Sequence, residues 1–344
     1  MQRKVKVINA LEQPSAIWQY SRMLQGIDEK HISVYDAYEK TGLISNIRRK
    51  IMMTTDSFLS SGTLLRKLAD TEYDIIHYAD PTIPPLTSRK IKVPQVVTVH
   101  DNPRMLLDTD LFFPNSFTGA LIKEFIRNNL KKYKFFENVL ANTNYVKDSL
   151  IEYGFTGKIE TVYHPVKPYF RPIKDKNALR RELGLPEDKK LILSISTDAK
   201  RKNLILLERA MKHLSKEFML VRVGKPMVNS FSFSNVSGEM LNKIYNACDL
   251  LVMPSIEEGL GLTVVEALAT DLPVVASDIE VFHEIGGEAL EFIDPTSVES
   301  LVSGIHNALE VSDDRKKMYK DIVAKFSYGI FRDKMLNYYD RLLG

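Results

Sequence analysis

Apolar positions follow two different spacings along this chain of 344 residues. Short runs rich in β-branched residues are separated by longer stretches with apolar residues three or four apart. In the first half the short runs begin at Val5 (VKVIN), Ile32 (ISVYDAY), Asp74 (DIIHYA), Gln95 (QVVTVH), Asn138 (NVLANT) and Ile159 (IETVYHP). In the second half they begin at Leu191 (LILSIS), Phe218 (FMLVRVG), Leu250 (LLVMP), Pro273 (PVVAS) and Leu290 (LEFID). Strands that alternate with helices predict parallel sheets covered by helices on both faces, the α/β class.

The alternation pauses once. From His164 to Lys190 the chain reads HPVKPYFRPIKDKNALRRELGLPEDKK, rich in proline and charge, which marks a linker. Length agrees, since domains usually hold about 100–200 residues. The expectation is a first domain over residues 1–168 and a second over residues 169–325. Two doubly wound domains facing each other make a cleft, and such sheets bind ligands beyond the carboxyl ends of their strands.

The stretch PSIEEGLGLTVVEALATDLPVVAS, from Pro254 to Ser277, follows a strand and opens a helix. Gly259 and Gly261 let the backbone turn sharply and approach a ligand. The helix start after them offers amide N–H groups and a positive dipole end, which suit a phosphate. Leu262, Val265, Leu268, Ala269 and Leu272 form an apolar stripe at helical spacing. Glu266 lies about 40° around the helix from Leu262. Thr263 to Glu266 fits a capping box, with Thr263 as N-cap. Glu258 has no such duty in capping or packing. The two acids could equally serve as acceptors for sugar or ribose hydroxyls. The residues alone leave both readings open.

Composition narrows the classes. The chain holds 47 Lys and Arg against 44 Asp and Glu, a net charge of +3, which does not point to nucleic-acid binding. Cys248 is the single cysteine, so no internal disulfide or multi-cysteine metal site is expected, and its apolar surroundings suit a small buried filler. Lys6 and Asn9 interrupt the apolar residues near the start, and no apolar run reaches the roughly 18 residues of a membrane span. A cytoplasmic protein is expected.

The stretch from Pro254 to Asp278 closely resembles the E-x7-E signature of retaining glycosyltransferases of GT-B fold, family 4. Leu260 stands where Phe is usual and Asp271 where Gly is usual. The resemblance implies two Rossmann-like domains, a nucleotide-diphosphate sugar as donor and no cofactor or metal. It places Glu258 on the donor sugar, Glu266 on the ribose hydroxyls, and the amides around Gly259, Leu260, Gly261 and Leu262 against the sugar and diphosphate. The turn RKN, after the strand LILSIS, resembles the family's donor-phosphate motif. It assigns Lys202, then Arg201, to the leaving diphosphate. Relatives carry a further arginine near Ser196 or Thr197, which this chain lacks. His100, at the end of QVVTVH, resembles the family's histidine that contacts sugar or acceptor. His77 resembles another and is expected to line the cleft. Residues 326–344 resemble the closing helix that returns to the first domain.

Other features weigh less. Asp108 to Asp110 forms a D-x-D triplet, a metal ligand in another glycosyltransferase fold, but it sits in an irregular segment and reads as a solvated loop. Ser15-Ala16 replaces the family's Gly-Gly turn, and Trp18 beside it reads as packing. Lys123, Arg127, Lys131 and Lys134 lie along one side of a predicted helix at 121–136. A solvated face is the simpler reading; peripheral contact with the inner membrane face is the other.

The expectation is therefore a metal-independent retaining hexosyltransferase. It would move a sugar from a nucleotide-diphosphate sugar to a glycan or lipid-linked glycan acceptor. Glu258, His100 and Lys202 would act in catalysis. The alternatives are a sugar-nucleotide-binding protein and a GT-B epimerase or phosphorylase.

Overall fold

A computed structural model describes residues 4–9, 16–36, 73–81, 92–107, 124, 127–310 and 312–344. The chain forms two compact units, Met1–His164 with Phe331–Gly344, and Pro165–Ile330.

The first unit holds β1 (Val5–Asn9), β2 (Ile32–Asp36), β3 (Ile75–Tyr78), β4 (Gln95–Val99), β5 (Asn138–Ala141) and β6 (Lys158–Thr161). They lie in the order β2-β1-β3-β4-β5-β6, each pair parallel. Side chains alternate between faces along a strand, so Val97 and Val99 join one apolar cluster and Val96 the other. The second cluster takes in Tyr20 and Leu24 of the helix Ala16–Ile27. It also takes in Phe331, Met335, Tyr338 and Tyr339 of the closing helix Tyr328–Leu343. Apolar residues on both faces are what a parallel sheet covered by helices requires.

The second unit holds β7 (Lys190–Ile195), β8 (Phe218–Val223), β9 (Ser230–Phe233), β10 (Leu250–Met253), β11 (Val274–Ser277) and β12 (Glu291–Ile293). The order is β12-β11-β10-β7-β8-β9, again all parallel. This is the doubly wound order of nucleotide-binding sheets, and its winding reverses between β7 and β10.

Each short apolar run in the sequence became a strand. β9 has no counterpart among them. Its sequence SFSF has no β-branched residue, it is half-buried, and it lies at the sheet edge. Backbone pairing with β8 holds it there, with Leu220 opposite Ser230 and Val223 opposite Phe233.

The expected linker contains a helix, Lys176–Leu183, that belongs to the second unit. Asp175 caps its start and Gly184, at φ 67°, closes it in the left-handed conformation. The periodicity here was masked by charge, because its buried face includes an arginine. Arg180 is 4% exposed and donates to Asp249 Oδ2 at 2.7 Å. It also donates to the carbonyls of Ala247, Glu187 and Lys189. Asp249 Oδ2 accepts from the amide of Leu191 at 2.7 Å as well, so one carboxylate pins the starts of β7 and β10. Arg180→Ala would leave this carboxylate only the Leu191 amide and Lys176 Nζ among its described partners, and would take a donor from three carbonyls. We expect a loss of about 3 kcal/mol of stability, read by urea unfolding.

Candidate active site

β7 and β10 are parallel neighbours, with Leu250 opposite Ile192 and Leu251 opposite Leu193. Their following turns therefore leave the same sheet edge side by side, where the winding reverses. After β7 comes a tight turn at Lys200–Lys202, then the helix Leu204–His213. After β10 comes the glycine turn, then the helix Leu262–Ala269. The amide of Ile256 donates to the carbonyl of Arg201 at 2.8 Å and ties the two turns together.

Glu258 is the centre of this junction and is 5% exposed. Lys202 Nζ donates to its Oε1 at 2.5 Å, and Arg201 Nη1 donates to its Oε2 at 2.8 Å. Ser255 Oγ donates to Oε1 at 2.8 Å, and Arg201 Nη1 also reaches the carbonyl of Glu257 at 3.1 Å. Burial alone would raise the carboxyl, but Lys202 and Arg201 outweigh it and hold it below the usual carboxylate range. Glu258 is thus an anion between two cations, a set with a net charge of +1. Glu257 contributes its carbonyl to these contacts.

Gly261 adopts φ 74° at the position before the helix, and a Cβ there would meet Phe282 Cε1 at 2.7 Å. Both facts require glycine. Leu260 is buried, and Leu262 begins the helix half-buried. The capping box is not formed. Thr263 lies inside the helix, Gly261 holds the cap position, and no side chain caps the first turn. The buried positions are Val264, Val265, Ala267 and Leu268, so the helix is covered more widely than the expected stripe. Asp271 stands at φ 60°, the left-handed conformation that glycine adopts without strain.

Freed from capping, Glu266 faces Tyr245, whose hydroxyl donates to its Oε2 at 2.8 Å. Burial raises Glu266 to about 7, against the pull of Tyr245 and of Lys167. Lys167 is lowered by burial and Tyr169 raised by it, and each also feels Glu266. Tyr245 sits in the core of the helix Gly238–Ala247, where its periodicity reads as packing alone.

The segment after β7 has a brace that the sequence reading missed. Arg222 of β8 is fully buried and donates to the carbonyls of Ser194, Ser196 and Val223 and to Ser196 Oγ. Burial lowers it, and Asp198 opposes that shift. Gly224, at φ 138°, lets the chain turn where a Cβ would meet the Ser196 carbonyl at 2.4 Å.

In the first unit, His100 follows β4 and its Nε2 lies 2.6 Å from the Ala79 carbonyl. That contact makes Nε2 the protonated nitrogen of a neutral ring, and burial lowers its basicity in agreement. Its ring lies 4.9 Å from those of Tyr20 and His164, both edge-on. His77 does not line a cleft. It is fully buried in the core, bonded to Tyr339 Oη at 2.6 Å and Thr98 Oγ1 at 2.7 Å, and burial lowers it to about 3. β3 turns it inward, and the closing helix supplies its partner.

The structure thus joins Glu258, Arg201, Lys202 and Ser255 directly and gathers Tyr245, Lys167 and Tyr169 around Glu266. His100 has its own cluster. Asp108–Asp110, Ser15, Lys123 and the side chain of Trp18 lie outside the described residues. Of the expected basic face, Arg127 pairs with Glu124 at 2.6 Å and Lys134 Nζ lies 4.1 Å from the Tyr153 ring centre. Among the described residues no group of three or more His, Cys, Asp or Glu side chains is placed to hold a metal ion, and no helix is long and apolar enough to cross a membrane.

Residues 175–322 match the family of glycosyl transferases group 1, and residues 38–169 match glycosyltransferase family 4. The O-antigen chain mannosyltransferase RfbU of Salmonella typhimurium is 29% identical over 253 residues, covering 71% of this chain and 69% of that protein. The sucrose-phosphate synthase of Thermosynechococcus elongatus superposes with a TM-score of 0.79 at 16% identity, covering 99% of both chains. Anabaena HepE, solved with UDP and glucose, gives 0.75 at 15% identity over 98% of this chain and 100% of that one. The chain has the two-domain GT-B fold. It belongs to the group 1, family 4 glycosyltransferases and is a glycosyltransferase enzyme.

Proposed function

We propose that the chain moves a hexose from a nucleotide-diphosphate sugar to a hydroxyl of a glycan or lipid-linked glycan, retaining the anomeric configuration and needing no metal. One observation carries this reading: Glu258, Arg201 and Lys202 meet at the winding reversal of a doubly wound sheet, beside a glycine turn that opens a helix. Cations and a helix start suit a diphosphate, and a fixed carboxylate suits sugar hydroxyls. The UDP and glucose bound to Anabaena HepE support a nucleotide-sugar donor, and the Salmonella mannosyltransferase supports a hexose and a glycan acceptor.

In this reading the C1–O bond to the diphosphate breaks while the acceptor oxygen bonds C1 from the same face. The acceptor proton passes to the departing diphosphate oxygen. Lys202 and Arg201 offset the charge that grows there, the part a metal plays elsewhere. Glu258 orients the sugar, Glu266 takes the ribose hydroxyls, and the amides of Gly259 to Leu262 lie against sugar and diphosphate. His100, with Nε2 committed to Ala79, presents Nδ1 to an acceptor or sugar hydroxyl. The enzyme would work in the cytoplasm. Phe135, 79% exposed beside exposed Lys131 and Lys132, would rest on the inner membrane face.

A nucleotide-sugar panel with acceptor should release nucleoside diphosphate; a thermal shift without release would leave only a binder. Glu258→Ala and Lys202→Ala should each slow turnover at least about tenfold, or roughly 1.4 kcal/mol of barrier. Near-normal rates in both would overturn the assignment.

Glu266 also sets a pH dependence. It is ionised above about 7 and then accepts ribose hydroxyls, so donor KM should rise as pH falls through 7. Glu266→Gln should flatten that profile. Stability moves the other way. The folded carboxyl binds its proton up to about 7 and the unfolded one only to the ordinary 4.5, so its contribution declines as pH rises through that window.

For the membrane contact, the wild-type chain should sediment with anionic phospholipid vesicles at low salt. Phe135→Asp should reduce that binding several-fold, and equal binding by both would exclude this face.

A further inference from the structure

The two cations assigned to the diphosphate already hold an anion. Lys202 Nζ and Arg201 Nη1 both donate to Glu258, at 2.5 and 2.8 Å. All three side chains are largely buried, with 14%, 13% and 6% of their surfaces exposed. Ser255 fixes the carboxylate from the strand side at 2.8 Å, and the Ile256 amide locks the turn that carries Arg201. Glu258 is therefore built into the position of a counter-ion, in addition to any contact with sugar.

We propose that Glu258 competes with the diphosphate for Lys202 and Arg201 and thereby drives the nucleoside diphosphate product out of the site. This deepens the transferase reading and rests on it. A diphosphate that draws the two cations toward itself takes partners from a buried carboxylate, and an uncompensated buried charge is costly. With the intact donor, the sugar hydroxyls replace those partners by donating to Glu258. Once the sugar has left on the acceptor, the nucleoside diphosphate offers no hydroxyl there. Glu258 is then left beside a second anion with only Ser255 to satisfy it. Its return to the cations favours release. One carboxylate thus lets the site hold donor more tightly than product, although both present the same diphosphate.

The consequence runs against the usual effect of removing a site residue. Glu258→Gln keeps the shape and the possible hydrogen bonds to a sugar but removes the competing charge. Binding of inorganic pyrophosphate, measured by calorimetry at fixed ionic strength, should tighten about tenfold in this variant. The nucleoside diphosphate released from the panel's best donor should inhibit it correspondingly more strongly, while turnover falls. Lys202→Ala is the control: it should weaken pyrophosphate binding severalfold. If Lys202→Ala leaves pyrophosphate affinity unchanged, the diphosphate assignment itself fails. If Lys202→Ala weakens it and Glu258→Gln leaves it the same or weaker, the competition is disproved and Glu258 serves the sugar alone. Should Glu258→Gln lack a folded circular dichroism spectrum, Glu258→Asp decides. Its carboxylate is one methylene too short to keep both cation bonds, so pyrophosphate should bind more tightly than to wild type, and an equal or weaker affinity overturns the proposal.

Discussion

A carboxylate buried between a lysine and an arginine is the constraint on which the second unit turns. Such a cluster is costly to desolvate and gains from its Coulomb attraction only where the geometry is held closely. The holding here is done by backbone. β7 and β10 run parallel and adjacent, so residues 56 apart, Lys202 and Glu258, emerge from the same edge. The Ile256 amide on the Arg201 carbonyl then fixes one turn against the other. Were the strands a register apart, the charges would be buried without partners.

The rest of the unit reads as support for that junction. Asp249 and Arg180 pin the starts of β7 and β10 at the opposite end of the strands. Arg222 ties down the carbonyls of Ser194 and Ser196, where the chain leaves β7. Gly261 lets the helix start close against Phe282. Buried arginines recur in these roles because a guanidinium can satisfy several carbonyls at once in a fixed planar fork. The first unit uses a different device. Tyr20, His77, Thr98 and Tyr339 form a connected buried network, with His77 and Tyr20 both bonded to Thr98 Oγ1. Tyr20 then packs edge-on against His100. The closing helix is thus wired to the strand that presents His100.

Much of this was legible beforehand. Parallel strands buried on both faces need unbroken apolar runs, and those runs marked all but one of the strands among the described residues. β9 escaped because an edge strand of serine and phenylalanine needs little from its own side chains. Glu258, Arg201 and Lys202 stood out by their places after strands, but only the resemblance to a family motif singled them out as a set. Glu266 was recognisable too, but its capping alternative fell only when the helix proved to start at Leu262 with Gly261 before it. His77 looked like a strand-end histidine of the cleft. Its burial depended on Tyr339, a partner 262 residues away.

By itself the sequence determined the class of fold, the run of strands and helices, the glycine turn and the family. The first three follow from local rules, the apolar period and the conformations open to glycine, while the family came from the resemblance of the stretch Pro254 to Asp278 to a known signature. Only the tertiary structure decided what each charge faces. Glu258 meets two cations, Glu266 meets a tyrosine at about neutral titration, and Arg222 meets carbonyls. A side chain's partners are set by which strands lie side by side, and strand order is a long-range property that no local pattern encodes.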